Sequence, residues 1–171
     1  VSQFETDPEL LRDVKVAYLE SPNSVMFQPM NLMRVSEHAR KHGVVTMIDN
    51  SWASPVFQTP IDLGIDIVLH SATKYISGHS DTVAGVAISS QDYISRIRDL
   101  SLPLLGAKLA PFEAFLLTRG LRTLSARMKQ HQATANLFVD RLAGLPEVRK
   151  INSPGANDVP GLRGRAGLMS L

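Results

Sequence analysis

Two short apolar runs, VVTMID at residues 44–49 and IDIVLH at residues 65–70, each stop on a set of polar side chains. They narrow the possible folds more than any other feature of the chain. Asp49 and Asn50 close the first run; Ser71, Thr73 and Lys74 follow the second. Runs of this length, apolar at successive positions and rich in β-branched residues, predict parallel strands buried on both faces rather than amphipathic helices. Ligands of open α/β sheets lie beyond the carboxyl ends of such strands. An acid, two hydroxyls and an amine are thereby delivered to one crevice.

The flanking segments predict the remaining layers. VKVAYLE at residues 14–20 reads as a further buried strand, stopped by Ser21-Pro22 because proline has no amide for a ladder. Upstream, residues 1–13 read as a polar segment with one helical turn, capped by Asp7 with Pro8 at its first position. Residues 31–42 carry Leu32, Val35 and Ala39 at helical spacing, and Gly43 stops the helix. Only about a dozen residues separate the lysine strand from VAGVAIS, too few for a crossover helix, so the next strand turns back antiparallel. Further helices are expected at residues 91–100, from Pro111 with an apolar stripe of Phe112, Phe115 and Leu116 to a break at Gly120, and over residues 123–142, where Leu124, Met128, Leu137 and Phe138 suit a core. Residues 148–151 read as a strand in a different layer, and the Gly/Pro-rich tail after them as a loop.

Composition excludes several function classes. The chain has 171 residues, no cysteine and a net charge of +2. Disulfide stapling, thiolate catalysis and cysteine-ligated zinc are therefore out. Residues 105–171 hold ten cations against four anions, but no nucleic-acid motif or interleaved aromatic residue accompanies them, and no nucleic-acid partner is expected. His38 and His42 stand four apart without a third ligand, so no metal is expected; they read as a solvated helix face. No apolar run approaches a membrane span and no signal pattern is present, which predicts a cytoplasmic protein without a membrane partner.

The polar set beyond the strands has a specific chemistry. A lysine amine can capture an aldehyde as a Schiff base. An aspartate at the neighbouring strand end can keep a heterocyclic nitrogen protonated, because an opposite charge favours the charged form. Hydroxyls one and three positions before the lysine suit phosphate oxygens. Together they describe a pyridoxal phosphate site at Lys74, Asp49, Ser71 and Thr73.

The same residues carry a resemblance. Asp49-Asn50-Ser51-Trp52, Ser71-Ala72-Thr73-Lys74-Tyr75 and Gly78-His79-Ser80-Asp81, with Leu19-Glu20-Ser21-Pro22 upstream and Pro111-Phe112-Glu113-Ala114-Phe115 leading to Arg119-Gly120-Leu121-Arg122-Thr123-Leu124 downstream, resemble the Cys/Met-metabolism family of pyridoxal phosphate enzymes. The likeness runs from about residue 14 to the end. It implies an α/β fold: part of the large domain of a fold-type I, aspartate aminotransferase-like enzyme, with a mostly parallel sheet, one antiparallel strand and helices on both faces. It also implies that residues 1–145 are the central part of the cofactor-binding domain and residues 146–171 the start of a smaller C-terminal domain. The glycine loop and ring-stacking tyrosine of the family would precede Val1, and its carboxylate-binding arginine would follow Leu171, since Arg163 and Arg165 lie too early.

By resemblance, Lys74 carries the cofactor, Asp49 pairs with its ring nitrogen, and Ser71 with Thr73 binds phosphate. Ser24 replaces the asparagine expected near the phenolic oxygen. That departure, and Trp52 where γ-acting relatives tend to have Phe or Tyr, are similar to bacterial cystathionine β-lyases. The implied reaction is β-elimination from cystathionine or a related sulfur amino acid, in a homo-oligomer that is a dimer of dimers with the active site at a subunit interface. A γ-synthase or γ-lyase is the alternative within the family; a scaffold with a vestigial site is the alternative outside it.

Overall fold

A computed structural model describes residues 3–171, so the first two positions of the expected polar segment 1–13 lie outside the described residues. Four strands form one sheet in the order β1 (Val16–Glu20), β2 (Val45–Asp49), β3 (Ile67–Ser71) and β4 (Gly85–Ser89). The first three are parallel and β4 runs antiparallel to β3, as the short connection requires. Register places Glu20 opposite Asp49, and Asp49 opposite Leu69. Side chains alternate across a strand, so Glu20, Asp49 and Ser71 all project from one face at the carboxyl ends.

The opposite face carries Ala17, Leu19, Ile48 and Val68 and is buried under α2 (Leu32–Lys41). Asn31 caps α2 by accepting the Arg34 N–H at 3.2 Å, and Gly43, at a φ of 66°, ends the run. Leu32, Val35 and Ala39 lie on its inner stripe with essentially no exposure. Each large aliphatic side chain buried in this way contributes about 1.5–3 kcal/mol. Asp66, just before β3, locks β2 to β3 from below: its carboxylate accepts from Thr46 N (2.8 Å) and Thr46 Oγ1 (2.7 Å).

Strand β1 departs from the expectation of burial on both faces. Ala17 and Leu19 are buried, whereas Val16 and Tyr18 are 51% and 61% exposed. β1 is an edge strand, and the face of it turned away from α2 has no covering layer among the described residues.

A short turn α1 (Gln3–Thr6) precedes the 3-10 turn Pro8–Leu11, where Asp7 accepts the Glu9 N–H at 3.1 Å. After β2 come a single turn α3 (Ser54–Phe57) and a 3-10 turn at Pro60–Leu63. After β4, α4 spans Gln91–Leu105, running past the expected end at Leu100 with Pro103 in its last turn, and Gly106 caps it at a φ of 61°. Helices α5 (Pro111–Leu121) and α6 (Leu124–Leu142) follow. In α5 the buried positions are Leu117 and Gly120; Phe112 and Phe115 stack on each other outside, with ring centroids 6.4 Å apart. In α6, Leu124 and Met128 are buried as expected, but Leu137 and Phe138 are not. Leu137 falls on the opposite side of the helix from Met128. Phe138 borders a cavity of about 280 Å³ between α6 and residues 167–169.

Residues 148–151 form no strand. A single antiparallel bridge joins Asn152 to Ser170 instead. The tail packs back on the body: Leu162 and Ala166 share a cluster with Trp52, Phe57, Leu124 and Met128, and Arg163 N donates to Phe57 O at 2.8 Å. Among the described residues no helix is long and apolar enough to cross a membrane.

Candidate active site

Beyond the carboxyl ends of the strands lies a cavity of about 1180 Å³, bordered by Glu20, Ser24, Asp49, Ser71, Thr73 and Lys74. All five site residues expected from the sequence thus meet in one space. Asp49 is pinned on one side: Oδ1 accepts the Ser51 N–H at 2.8 Å, and Oδ2 has no protein donor among the described residues. Ser51 in turn accepts the Ser71 N–H at 2.6 Å, tying the end of β3 to the loop after β2.

Lys74 stands on a tight turn that closes on itself. Lys74 N donates to Ser71 O (3.0 Å), Ser77 N to Ala72 O (2.8 Å) and Gly78 N to Lys74 O (2.8 Å). Ala72 and Ile76 anchor the inner side of this turn against Leu117 of α5. The Lys74 side chain is exposed to the cavity and its amine has no acceptor among the described residues. Asp81 braces the turn from outside, accepting from Ser77 Oγ (3.0 Å) and Arg119 Nη2 (2.9 Å), so Arg119 forms a structural ion pair beside Gly120. His79 Nδ1 lies 2.7 Å from Ser77 O, which puts the proton on Nδ1.

Two expected ligands are already engaged. The Thr73 hydroxyl donates to Ala84 O (3.2 Å) and accepts from Ala84 N (2.9 Å). The Ser24 hydroxyl donates to Glu20, 2.8 Å from Oε1, and Ser24 N donates to Oε2 at 3.1 Å. Ser24 reaches the cavity rim, then, with its hydroxyl proton committed to the strand-end carboxylate.

His70 is buried on the α2 side of β3. Burial pushes its pKa below the usual imidazole value, against the opposing pull of the Asp49 carboxylate and a hydrogen bond with the Asn50 backbone. The far wall belongs to residues to which sequence reasoning assigned no cofactor-binding role. Tyr75 Oη accepts the Gly167 N–H at 3.0 Å and its ring meets His131 edge-on at 5.2 Å; burial raises the pKa of this phenol. Trp52 Nε1 donates to Leu168 O at 3.2 Å. Arg127 of α6 also borders the cavity. Its signal was faint: it falls one turn after Thr123, on the side of α6 facing the lysine turn. Arg163 and Arg165 are both bonded elsewhere, to Pro55 O and Val56 O and to Asn136 Oδ1, and do not border the cavity.

The donor set fits pyridoxal phosphate. Among the described residues the Lys74 amine, one Asp49 carboxylate oxygen and the Ser71 hydroxyl carry no bond to protein, and all three residues border a space large enough for a substituted pyridine. Fold and cleft define the fold-type I class of pyridoxal phosphate-dependent enzymes, to which the structural neighbours of this chain belong. The family model for Cys/Met metabolism PLP-dependent enzymes matches residues 4–166, and the chain belongs to that family. It is 42% identical over 147 residues to the L-methionine gamma-lyase of Pseudomonas putida, which covers 85% of this chain and 37% of that one. It is 41% identical over 150 residues to the cystathionine beta-lyase of Lactococcus lactis subsp. cremoris, covering 87% and 39%. The crystal structure of cystathionine gamma-lyase from Lactobacillus plantarum complexed with L-serine superposes with a TM-score of 0.84 at 34% identity, covering 91% of this chain and 42% of that one. The chain thus spans about two fifths of the length of the curated relatives it matches.

Proposed function

We propose that the chain is the central part of a pyridoxal phosphate-dependent carbon–sulfur lyase acting by β-elimination on cystathionine or a related sulfur amino acid, with homocysteine, pyruvate and ammonia as products from cystathionine. The observation that carries this reading is that Lys74, on the turn after β3, and Asp49, at the end of β2, border one cavity, with the amine and one carboxylate oxygen unbonded to protein among the described residues. In this reading residues 1–145 belong to the cofactor-binding domain and 146–171 lead into a smaller one.

Bound there, pyridoxal phosphate supplies an electron sink for charge developing at the substrate α-carbon. The residues do the rest. Lys74 holds the cofactor, and its amine is the group placed to carry a proton at the α-carbon. Asp49, fixed by Ser51 N, holds a proton on the ring nitrogen through its free oxygen. Ser71 donates to phosphate, and Thr73 joins it by exchanging its bond to Ala84 O. Ser24 acts through Glu20, whose carboxylate it orients at the rim. The exposed side chains of Leu104, Leu105, Phe112 and Phe115 offer apolar surface for assembly with further copies of the chain, which by family resemblance would be a dimer of dimers with the site at a subunit interface.

A second reading, γ-elimination or γ-replacement with the same lysine and aspartate, is favoured by the 42% identity to a methionine gamma-lyase, one point above the β-lyase. Incubating the full-length holoenzyme with cystathionine separates the two. Pyruvate with homocysteine supports β-elimination; 2-oxobutyrate with cysteine replaces it by the γ reading. Borohydride reduction followed by peptide mapping tests the lysine, with the label expected on Lys74.

A further inference from the structure

Two backbone carbonyls of the turn that carries Lys74 are met from outside it. The carbonyls of Ala72 and Lys74 are taken up inside the turn, and that of Ser77 meets His79. The carbonyls of Tyr75 and Ile76 point outward, toward the first turns of α6. Arg127 meets both: Nη1 donates to Tyr75 O at 2.7 Å and Nη2 to Ile76 O at 3.3 Å. The same Nη2 donates to Gly120 O at 2.9 Å, at the C-terminal end of α5, and Nε donates to Thr123 Oγ1 at 3.0 Å, which aims the guanidinium.

No carboxylate pairs with this cation among the described residues. Burial lowers the Arg127 pKa, and the charge is met by carbonyl dipoles instead. The neighbouring chain is shaped around the contact. A Cβ on Gly120 would come within 2.4 Å of Ile76 O and Ser77 O, and a Cβ on Gly78, already at a φ of 72°, within 2.3 Å of Arg127 Nη1. Gly120 is therefore required where the lysine turn, α5 and the guanidinium come together, and Gly78 supplies the left-handed backbone beside them.

We infer that Arg127 is a positioning residue that clamps the Lys74 turn to the end of α5 and so sets where the lysine amine stands relative to the Asp49 carboxylate. The planar fork spans carbonyls from two segments at once, which a single ammonium on a flexible stem does not. Tyr75, held by its carbonyl, is the residue next to Lys74, so any rotation of the turn is carried to the amine. Misplacing a reacting group by about 1 Å costs on the order of 100-fold in rate.

The inference rests on Lys74 being the cofactor lysine, which mapping of the borohydride-fixed label in the wild-type protein tests separately; a label on another lysine overturns both. The clamp itself is tested in the full-length holoenzyme with Arg127→Lys and Arg127→Met. The readouts are the pH titration of the cofactor absorbance, steady-state kinetics and thermal unfolding. Both variants should shift the titration midpoint of the lysine-linked cofactor and lower kcat by about 100-fold, with KM changed far less. Lysine should not rescue. Arg163→Lys, which loses carbonyl contacts outside the cavity, should lower the unfolding temperature without moving the titration. Gly120→Ala pushes the turn from α5 with the arginine intact and should move the titration as the Arg127 variants do, which keeps the test open if those fold poorly. Arg127 or Gly120 variants that unfold earlier but keep the wild-type titration and kcat would overturn the clamp and leave a purely structural arginine.

Discussion

The two walls of the cleft are built from similar polar residues but use them differently. On the β2–β3 wall, one Asp49 oxygen and the terminal groups of Ser71 and Lys74 have no protein partner among the described residues, while backbone bonds hold the segments that carry them. On the β1 wall, Glu20 and Ser24 satisfy each other. A polar group kept unpaired beside a cavity is available to a ligand, whereas a pair that closes on itself mainly shapes the rim. The difference assigns the chemistry to β2 and β3 and a supporting role to β1.

The largest effect that could break this contrast is at Lys74. Lys74→Ala in the full-length protein should abolish borohydride-fixable cofactor and lower turnover by at least about 10³-fold, within the range for loss of a positioned acid–base group. Asp49→Asn should come next: cofactor is still captured, but turnover falls by about 100-fold, because the amide cannot hold the ring nitrogen charged. Comparing bound cofactor by absorbance with turnover on cystathionine separates capture from chemistry.

His70 sharpens the contrast through pH. Its folded pKa lies below the unfolded one, so between the two values the unfolded chain binds the extra proton. Stability from this residue is fully present above about 6.5 and is lost as pH falls toward the folded value. Denaturant unfolding across that interval should show the decline, and His70→Gln should flatten it. The smallest effect belongs to the β1 wall. Ser24→Ala releases Glu20 and should weaken cofactor binding by no more than about 0.5–1.5 kcal/mol, read by equilibrium dialysis of pyridoxal phosphate. A fall in turnover on cystathionine for Ser24→Ala as large as that of Asp49→Asn would erase the distinction between the walls.

Much of this was legible in the order of residues. Apolar runs ending in polar ones marked β2, β3 and their shared crevice, the short connection after Ser71 required an antiparallel β4, and Asn31 with Gly43 bounded α2. What escaped depended on partners distant in the chain or on local backbone. Ser24 sits in a loop where Val25 and Phe27 take left-handed φ values of 67° and 45°, a conformation that no side-chain pattern announces and that accompanies its contact with Glu20. Arg127 reads as one more surface cation of α6, because its acceptors are carbonyls of a turn far upstream. Phe112 and Leu137 have helical spacing, but periodicity says nothing of whether another layer lies opposite. Ser24 and Trp52 alone pointed to a β-lyase, and relatives with β and γ activities in their names stand within one point of identity of each other.

The most direct test is a crystal structure of the full-length holoenzyme. The account predicts electron density continuous from Lys74 Nζ into the cofactor, with an Asp49 carboxylate oxygen within hydrogen-bonding distance of the ring nitrogen. Density joined to a different lysine, or an Asp49 side chain turned away from the ring, would contradict it.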